Sequence, residues 1–181
     1  MPVINYLWDP ETAAYLMEMD GNDQTTAVYT NEPVLYGSLV SQRRGGETSC
    51  YHYDGLGNTC ELTNASEVVT DTNLYDAWGV NINSTGTTES PFKWRGLHGY
   101  YFDTITNRFY VRARVYQPIV GRWMTPDPLQ FYDGSNLFAA YFIPGSLDPS
   151  GLVGKKGPIC LFNCDNSGGG SVRTDDQCCS D

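Results

Sequence analysis

Six cysteines and two histidines are the residues of this chain whose types most readily carry chemistry. Cys50 and Cys60 flank a predicted turn and could face each other across a hairpin, while Cys160, Cys164, Cys178 and Cys179 crowd the C-terminal end. An even count suits disulfides in an oxidising compartment, yet the spacing is not that of a small cystine-stapled scaffold. It is a poor zinc pattern too: neighbouring thiolates such as Cys178 and Cys179 chelate awkwardly, and no histidine lies nearby. His52 and His98 each sit beside aromatic residues in a predicted strand or turn, which favours packing over catalysis. Ser146 and Ser150 lie close to Asp148, but nothing supplies them with a base, so a Ser-His-Asp arrangement has no support. Gly168-Gly169-Gly170 has no lysine after it and is not a phosphate cradle. Neither a metal nor a cofactor is expected.

Charge narrows the partners. A formal net charge of −10 argues against nucleic acid or an anionic membrane, both of which need a basic face. Arg108, Arg112, Arg114 and Arg122 do cluster, but they fall among aromatics on a predicted strand, where pairing with the acidic excess is expected. No run approaches the roughly 18 apolar residues of a membrane helix. The first residues, Met1-Pro-Val-Ile-Asn-Tyr-Leu-Trp-Asp9, show no basic region followed by an apolar one, so no signal peptide is visible. Export by another route stays open.

The elements that must position these residues read as β structure. Thirteen tyrosines, four tryptophans and nineteen glycines favour pleated, half-buried surfaces punctuated by turns. Strands are predicted at Tyr6–Trp8, Ala14–Met19, Thr25–Tyr29 and Leu35–Gln42, separated by Asp9-Pro10, Asp20-Gly21 and Glu32-Pro33. A clearer series follows: Ser49–Tyr53, Asn58–Thr63, Val68–Tyr75 and Val80–Asn83. Arg108–Tyr116 reads as one two-faced strand, with Phe109, Val111, Ala113 and Val115 on its apolar side and Arg112 and Arg114 on the other. Asn136–Phe142 is the one plausible helix. Beyond Leu152 the composition turns Gly-, Ser- and Asp-rich, which predicts disorder.

An internal repeat runs through the strands. Tyr53-Asp54-x-x-Gly57 recurs as Tyr75-Asp76-x-x-Gly79, and Tyr6-Leu7-Trp8-Asp9 and Tyr101-Phe102-Asp103 are degenerate echoes. Such a unit suggests one supersecondary element stacked on its neighbours. Aspartate can cap the bend with its own side chain, and glycine supplies the positive φ.

These bends are followed in order by "PFKWRG", "GYYFD", "RFYVRARVYQP", "GRWMTPDP", "GSNLF" and "DPSGL". Together they resemble the recombination-hot-spot (RHS) repeat-associated core of YD-repeat proteins, over about residues 1–152. The chain departs from the family pattern at Asn107 and Gln130, which stand where glycine is usual, and between Asn136 and Pro144, which lacks a second asparagine and is about two residues short. The resemblance implies a mainly β fold: an antiparallel YD-repeat meander forming part of a shell, a plug-like core, and little helix. Its expected divisions are 1–90 for the repeat sheet, 91–152 for the core and 153–181 for a flexible tail. In bacterial toxins of this kind the repeats spiral into a hollow shell, and the family points to a secreted or cell-surface setting. Family cores also resemble aspartyl self-proteases. On this chain that implies Asp127 and Asp148 as the carboxylate pair, Arg122 as the group that orients or balances them, and Leu152-Val153 as the bond cut. Residue by residue, the same aspartates also read as ordinary Asp-Pro turn formers, and Arg122 as a structural arginine.

Three functions follow. The first is a non-catalytic shell module whose strand edges pair with another YD-repeat sheet or with a second copy. A single-turnover self-protease cutting after Leu152 is the second. In the third, exposed tyrosines form a recognition or adhesion surface, although alternating aromatics are more often ladders between strands.

Overall fold

Alternation along the strands and aspartate chemistry at the bends build one sheet strand by strand. The computed structural model describes residues 3–132, 134–140 and 147–152. Its strands β1 (Ile4–Trp8), β2 (Tyr15–Asp20), β3 (Thr25–Glu32), β4 (Ser38–Arg44), β5 (Glu47–Tyr53), β6 (Thr59–Asn64), β7 (Val69–Tyr75) and β8 (Asn81–Thr85) form an eight-stranded meander in chain order. A second meander of four follows: β9 (Tyr101–Asp103), β10 (Arg108–Val111), β11 (Arg114–Gln117) and β12 (Arg122–Trp123). Helix among the described residues is confined to three 3-10 turns, Gly96–His98, Pro118–Val120 and Gln130–Tyr132. The mainly β, antiparallel architecture expected from the sequence is the one adopted.

One bend recurs between strands. At Asp54 and Asp76 the carboxylate Oδ1 accepts the N–H groups two and four residues on, from Leu56 and Asn58 and from Trp78 and Val80. The residue three positions on, Gly57 or Gly79, has φ of 78° or 90° and donates its N–H back to the aspartate carbonyl. Asn64 and Asp20 make the same bend without glycine at the left-handed position, which Glu67 and Asp23 take at φ 61° and 59°. The bend is therefore defined by the capping side chain more than by the glycine.

A single face of the large sheet is buried. Tyr15, Ala27, Tyr29, Leu39, Tyr51 and Leu62 pack there around Phe92. Tyrosines on this face are mostly a ladder between strands; of those described, only Tyr110 and Tyr132 are exposed. Polar residues on the same face hold a strap that leaves β8 and crosses back over the sheet. Asp71 accepts the N–H and hydroxyl of Thr88, Gln42 donates to the carbonyl of Glu89, Tyr51 bonds Ser90, and Thr59 donates to the carbonyl of Phe92. The strap delivers the chain to a second core of Trp94, Tyr100, Phe109, Val111, Tyr116, Trp123 and Ala140.

Four expectations differ or fall outside. The predicted helix at Asn136–Phe142 is a turn as far as Ala140: the Asn136 side chain accepts the N–H of Phe138, and Ala139 bridges to Arg122. A side chain that bonds its own backbone in this way competes with helix formation. Residues 141 and 142, like the tail from 153 onward, lie outside the described residues. Arg108–Tyr116 is not one strand but the β10–β11 hairpin, turned at Arg112, whose φ is 47°. Cys50 stands opposite Thr63, three residues along β6 from Cys60, because the Asp54–Asn58 bend sets Tyr53 against Thr59, and both thiols are free.

Candidate functional site

The hairpin at Arg112-Ala113 decides what lies at the centre of the second core. Along one continuous strand Arg114 would share the solvent-facing side of Arg108 and Tyr110. Reversal instead pairs Val111 with Arg114 and Phe109 with Tyr116, so the arginine joins the apolar face. Arg114 is 2% exposed, and its guanidinium lies 4.2 Å from the centre of the Trp123 ring. A buried cation needs partners. It has three: Nη1 donates to Asp127 Oδ2 at 2.7 Å, Nη2 to Asp148 Oδ2 at 2.6 Å, and Nε to the carbonyl of Gly151.

Both aspartates are presented by the bend that shapes the sheet. Asp127 Oδ1 accepts the N–H of Leu129, and Gln130 donates its N–H to the Asp127 carbonyl with φ 60°. Asp148 Oδ1 accepts the N–H of Leu152 and the hydroxyl of Ser150, while Gly151, at φ 67°, donates to the Asp148 carbonyl. In each case the bend occupies Oδ1 and leaves Oδ2 for Arg114. Gln130 adopts the left-handed backbone conformation a glycine would favour, and so does Asn107, at φ 54°.

Asp148 is fully buried, and the hydroxyl of Tyr100, at the end of the Trp94–Tyr100 ring pair, donates to its carbonyl. The Asp148–Leu152 loop is fixed from the other side as well, where Ala113 donates its N–H to the Ser150 carbonyl. The structure thus brings Asp127, Asp148 and Leu152 together. Arg122 is not with them: it is exposed on β12, opposite Gln117, and Arg114 holds the position between the carboxylates. A tight reversal with neither glycine nor asparagine at Arg112-Ala113 left no local signal for that exchange. The Asp-x-x-Gly spacing of Asp148 and Gly151, by contrast, was readable as another copy of the repeat bend. Val153, the far side of the expected cleavage bond, lies outside the described residues.

The two histidines differ in setting: His98 packs within the fold, whereas His52 is exposed. His52 Nε2 bonds the Thr63 hydroxyl on the exposed face. His98 ends the Gly96–His98 turn with its ring against Gly57, and burial, with Arg95 and Arg112 nearby, lowers its pKa to about 4. Among the described residues no group of His, Cys, Asp and Glu could hold a metal ion, and no helix is long and apolar enough to cross a membrane.

Comparison with known proteins extends the argument. No family model matches the chain. It is 29% identical over 147 residues, 81% of its length, to the tRNA3(Ser)-specific nuclease WapA of Bacillus spizizenii. It is 31% identical over 124 residues, 64% of its length, to the double-stranded DNA deaminase toxin A of Burkholderia cenocepacia. The chain spans only 6% and 8% of those two relatives. Since both are named for action on nucleic acid, they lend no support to the exclusion of nucleic acid drawn from net charge. Among solved structures, the TcdB2-TccC3-Cdc42 crystal structure superposes on 83% of this chain with a TM-score of 0.63 at 18% identity, covering 8% of that chain. The Photorhabdus luminescens Tc holotoxin pore superposes on 87% with a TM-score of 0.59, also at 18% identity. The chain therefore has the fold found within these toxin assemblies and is similar in sequence to segments of much longer toxin and nuclease proteins.

Proposed function

We propose that this chain is a closing segment of a YD-repeat β-shell in a toxin-associated protein, its large sheet continuing the shell wall and its second core forming the plug. One observation carries this reading. Among the described residues, the eight-stranded meander is covered on a single face and ends at two strands, β1 and β8, that pair on one side only. Such edges present unpaired backbone donors and acceptors, and they call for another strand. On this reading residues 1–90 form the wall and 91–152 the plug, with the strap between Thr85 and Phe92 as the passage between them. Light scattering after size exclusion tests the reading. Association that rises with concentration, with β1 and β8 amides gaining protection in the associated form, is expected. A monomer at every concentration, with slow amide exchange in both edge strands, overturns it.

A second reading, single-turnover self-cleavage after Leu152, is favoured by a separate observation. Asp148 and Arg114 both bond the Gly151-Leu152 backbone, and Arg114 links Asp127 to them. One carboxylate would take a proton from water as its oxygen attacks the Leu152 carbonyl carbon. The other, protonated, would give its proton to the departing Val153 nitrogen as the C–N bond breaks. Arg114 takes the place that the resemblance gave to Arg122. Intact mass of the purified chain decides it. Loss of residues 153–181, abolished by Asp148→Asn, is expected; an uncut, folded chain at mildly acidic pH sinks it.

A further inference from the structure

Arg112 makes the most far-reaching set of contacts in the molecule, and neither function above uses it. It sits at the β10–β11 reversal with a left-handed backbone, φ 47°, which a bulky residue adopts only when its surroundings hold it there. The side chain reaches four backbone carbonyls. Nε and Nη2 donate to Ala13 at 3.1 and 2.9 Å, Nη2 also to Tyr36 at 3.2 Å, and Nη1 to His98 at 3.1 Å and Pro149 at 2.6 Å. Its guanidinium stacks over the Tyr36 ring at 4.8 Å.

These acceptors come from separate parts of the chain. Ala13 precedes β2, Tyr36 precedes β4, His98 closes the first 3-10 turn, and Pro149 lies within the Asp148–Leu152 loop. A planar guanidinium with donors on several edges can serve all four at once, whereas a lysine ammonium offers a point charge. Acceptance by backbone carbonyls matters too: the grip depends on where β2 and β4 have placed their flanking loops, not on which side chains those loops carry. An incompletely assembled sheet would leave the guanidinium without its anchors at Ala13 and Tyr36.

We infer that Arg112 is a positioning residue that ties the Asp148–Leu152 loop to the first half of the repeat sheet, so that Leu152 is seated against the aspartates only when β2 and β4 are in place. The consequence for cleavage rests on the self-cleavage reading; the coupling of loop to sheet does not. Assembly of the wall would then license the site.

Two variants of the full chain, Arg112→Met and Arg112→Lys, test this by amide hydrogen exchange and intact mass. Arg112→Met keeps the stem and removes every donor. It is expected to speed exchange at Gly151 and Leu152 by about tenfold or more, as loss of one or two hydrogen bonds would. Amides of β5 to β7 should stay within about twofold. Arg112→Lys should recover part of the loop's protection. If the wild-type chain cuts itself, Arg112→Met should slow cutting by about tenfold with an unchanged pH profile, because the reacting groups are untouched. Unaltered loop exchange in Arg112→Met overturns the inference, and so does an equal rise across β5 to β7. A wild-type chain that stays uncut removes the self-cleavage reading alone, and the exchange data then decide the clamp.

Discussion

Gly151 lies so close to the β10–β11 hairpin that a Cβ built on it would stand 2.3 Å from the Val111 carbonyl oxygen and 3.0 Å from the Arg114 nitrogen. Both neighbours are backbone and cannot swing aside. Together with a φ of 67°, this admits no side chain at residue 151, and it fixes how near the Gly151 carbonyl comes to Arg114.

Replacement of Gly151 by alanine should therefore cost about 3 kcal/mol or more, combining left-handed strain with a forced shift of the loop. Gly45, at φ 60° with nothing within 4 Å of a built Cβ, serves as the control. There the same substitution should cost only about 1 kcal/mol, for the conformation alone. Urea denaturation of both variants checks the contrast, and equal losses would show that the close approach to Val111 is not what the glycine serves.

Arg114 and its two aspartates form a buried set in which one cation faces two carboxylates. Arg114→Met should cost about 3–5 kcal/mol, because it leaves both carboxylates without a counter-charge. Adding Asp127→Asn and Asp148→Asn to that variant should restore more than half of the loss, since an asparagine oxygen can still accept the N–H of Leu129 or Leu152. A triple variant no more stable than Arg114→Met alone would mean that the arginine acts through packing on Trp123 rather than through charge.

Much of the wall is legible in the sequence. Strand positions from β1 to β8 follow from alternation, and the Asp54 and Asp76 bends follow from residues whose side chains make the turn locally. What escaped was non-local. Arg112 looks like a mid-strand residue because its left-handed conformation is imposed by four distant carbonyls, and no neighbour in sequence reveals that. The burial of Arg114 follows from that one reversal, so the cation beside Asp127 and Asp148 is Arg114, where the resemblance had pointed to Arg122.

The bends allow a finer test of side-chain capping. Asp76 uses only Oδ1 in its turn, and Asn64 makes the same turn with an amide oxygen. Asp76→Asn should thus change stability by less than about 0.5 kcal/mol, while Asp76→Ala should lose about 1–2 kcal/mol for two unmade hydrogen bonds. Asp54 differs because its Oδ2 also accepts from the Asn58 amide at 2.8 Å. An asparagine there would set two NH2 groups against each other, so Asp54→Asn should cost more than Asp76→Asn. Thermal melts of the three single variants at one pH give the ranking. Equal tolerance of asparagine at both sites would contradict the assignment of the second oxygen.

His98 supplies the pH dependence. Burial first, then the nearby Arg95 and Arg112 charges, lower its pKa to about 4 in the fold, whereas an unfolded histidine titrates near 6.5. Between those values the unfolded chain takes up a proton that the folded chain refuses. The contribution of the neutral ring is complete above about pH 6.5 and is lost progressively as pH falls towards 4. Partial exposure of the ring to water moderates the size of the effect, so the sign and the window are the test. The stability difference between wild type and His98→Gln should be constant above pH 7 and should shift against the wild type from pH 6.5 down to 4.5. Because the carboxylates titrate alike in both proteins, the difference isolates the histidine. Parallel curves across that window would mean that His98 accepts its proton in the fold, and that the Gly96–His98 turn opens to solvent more readily than its packing against Gly57 implies.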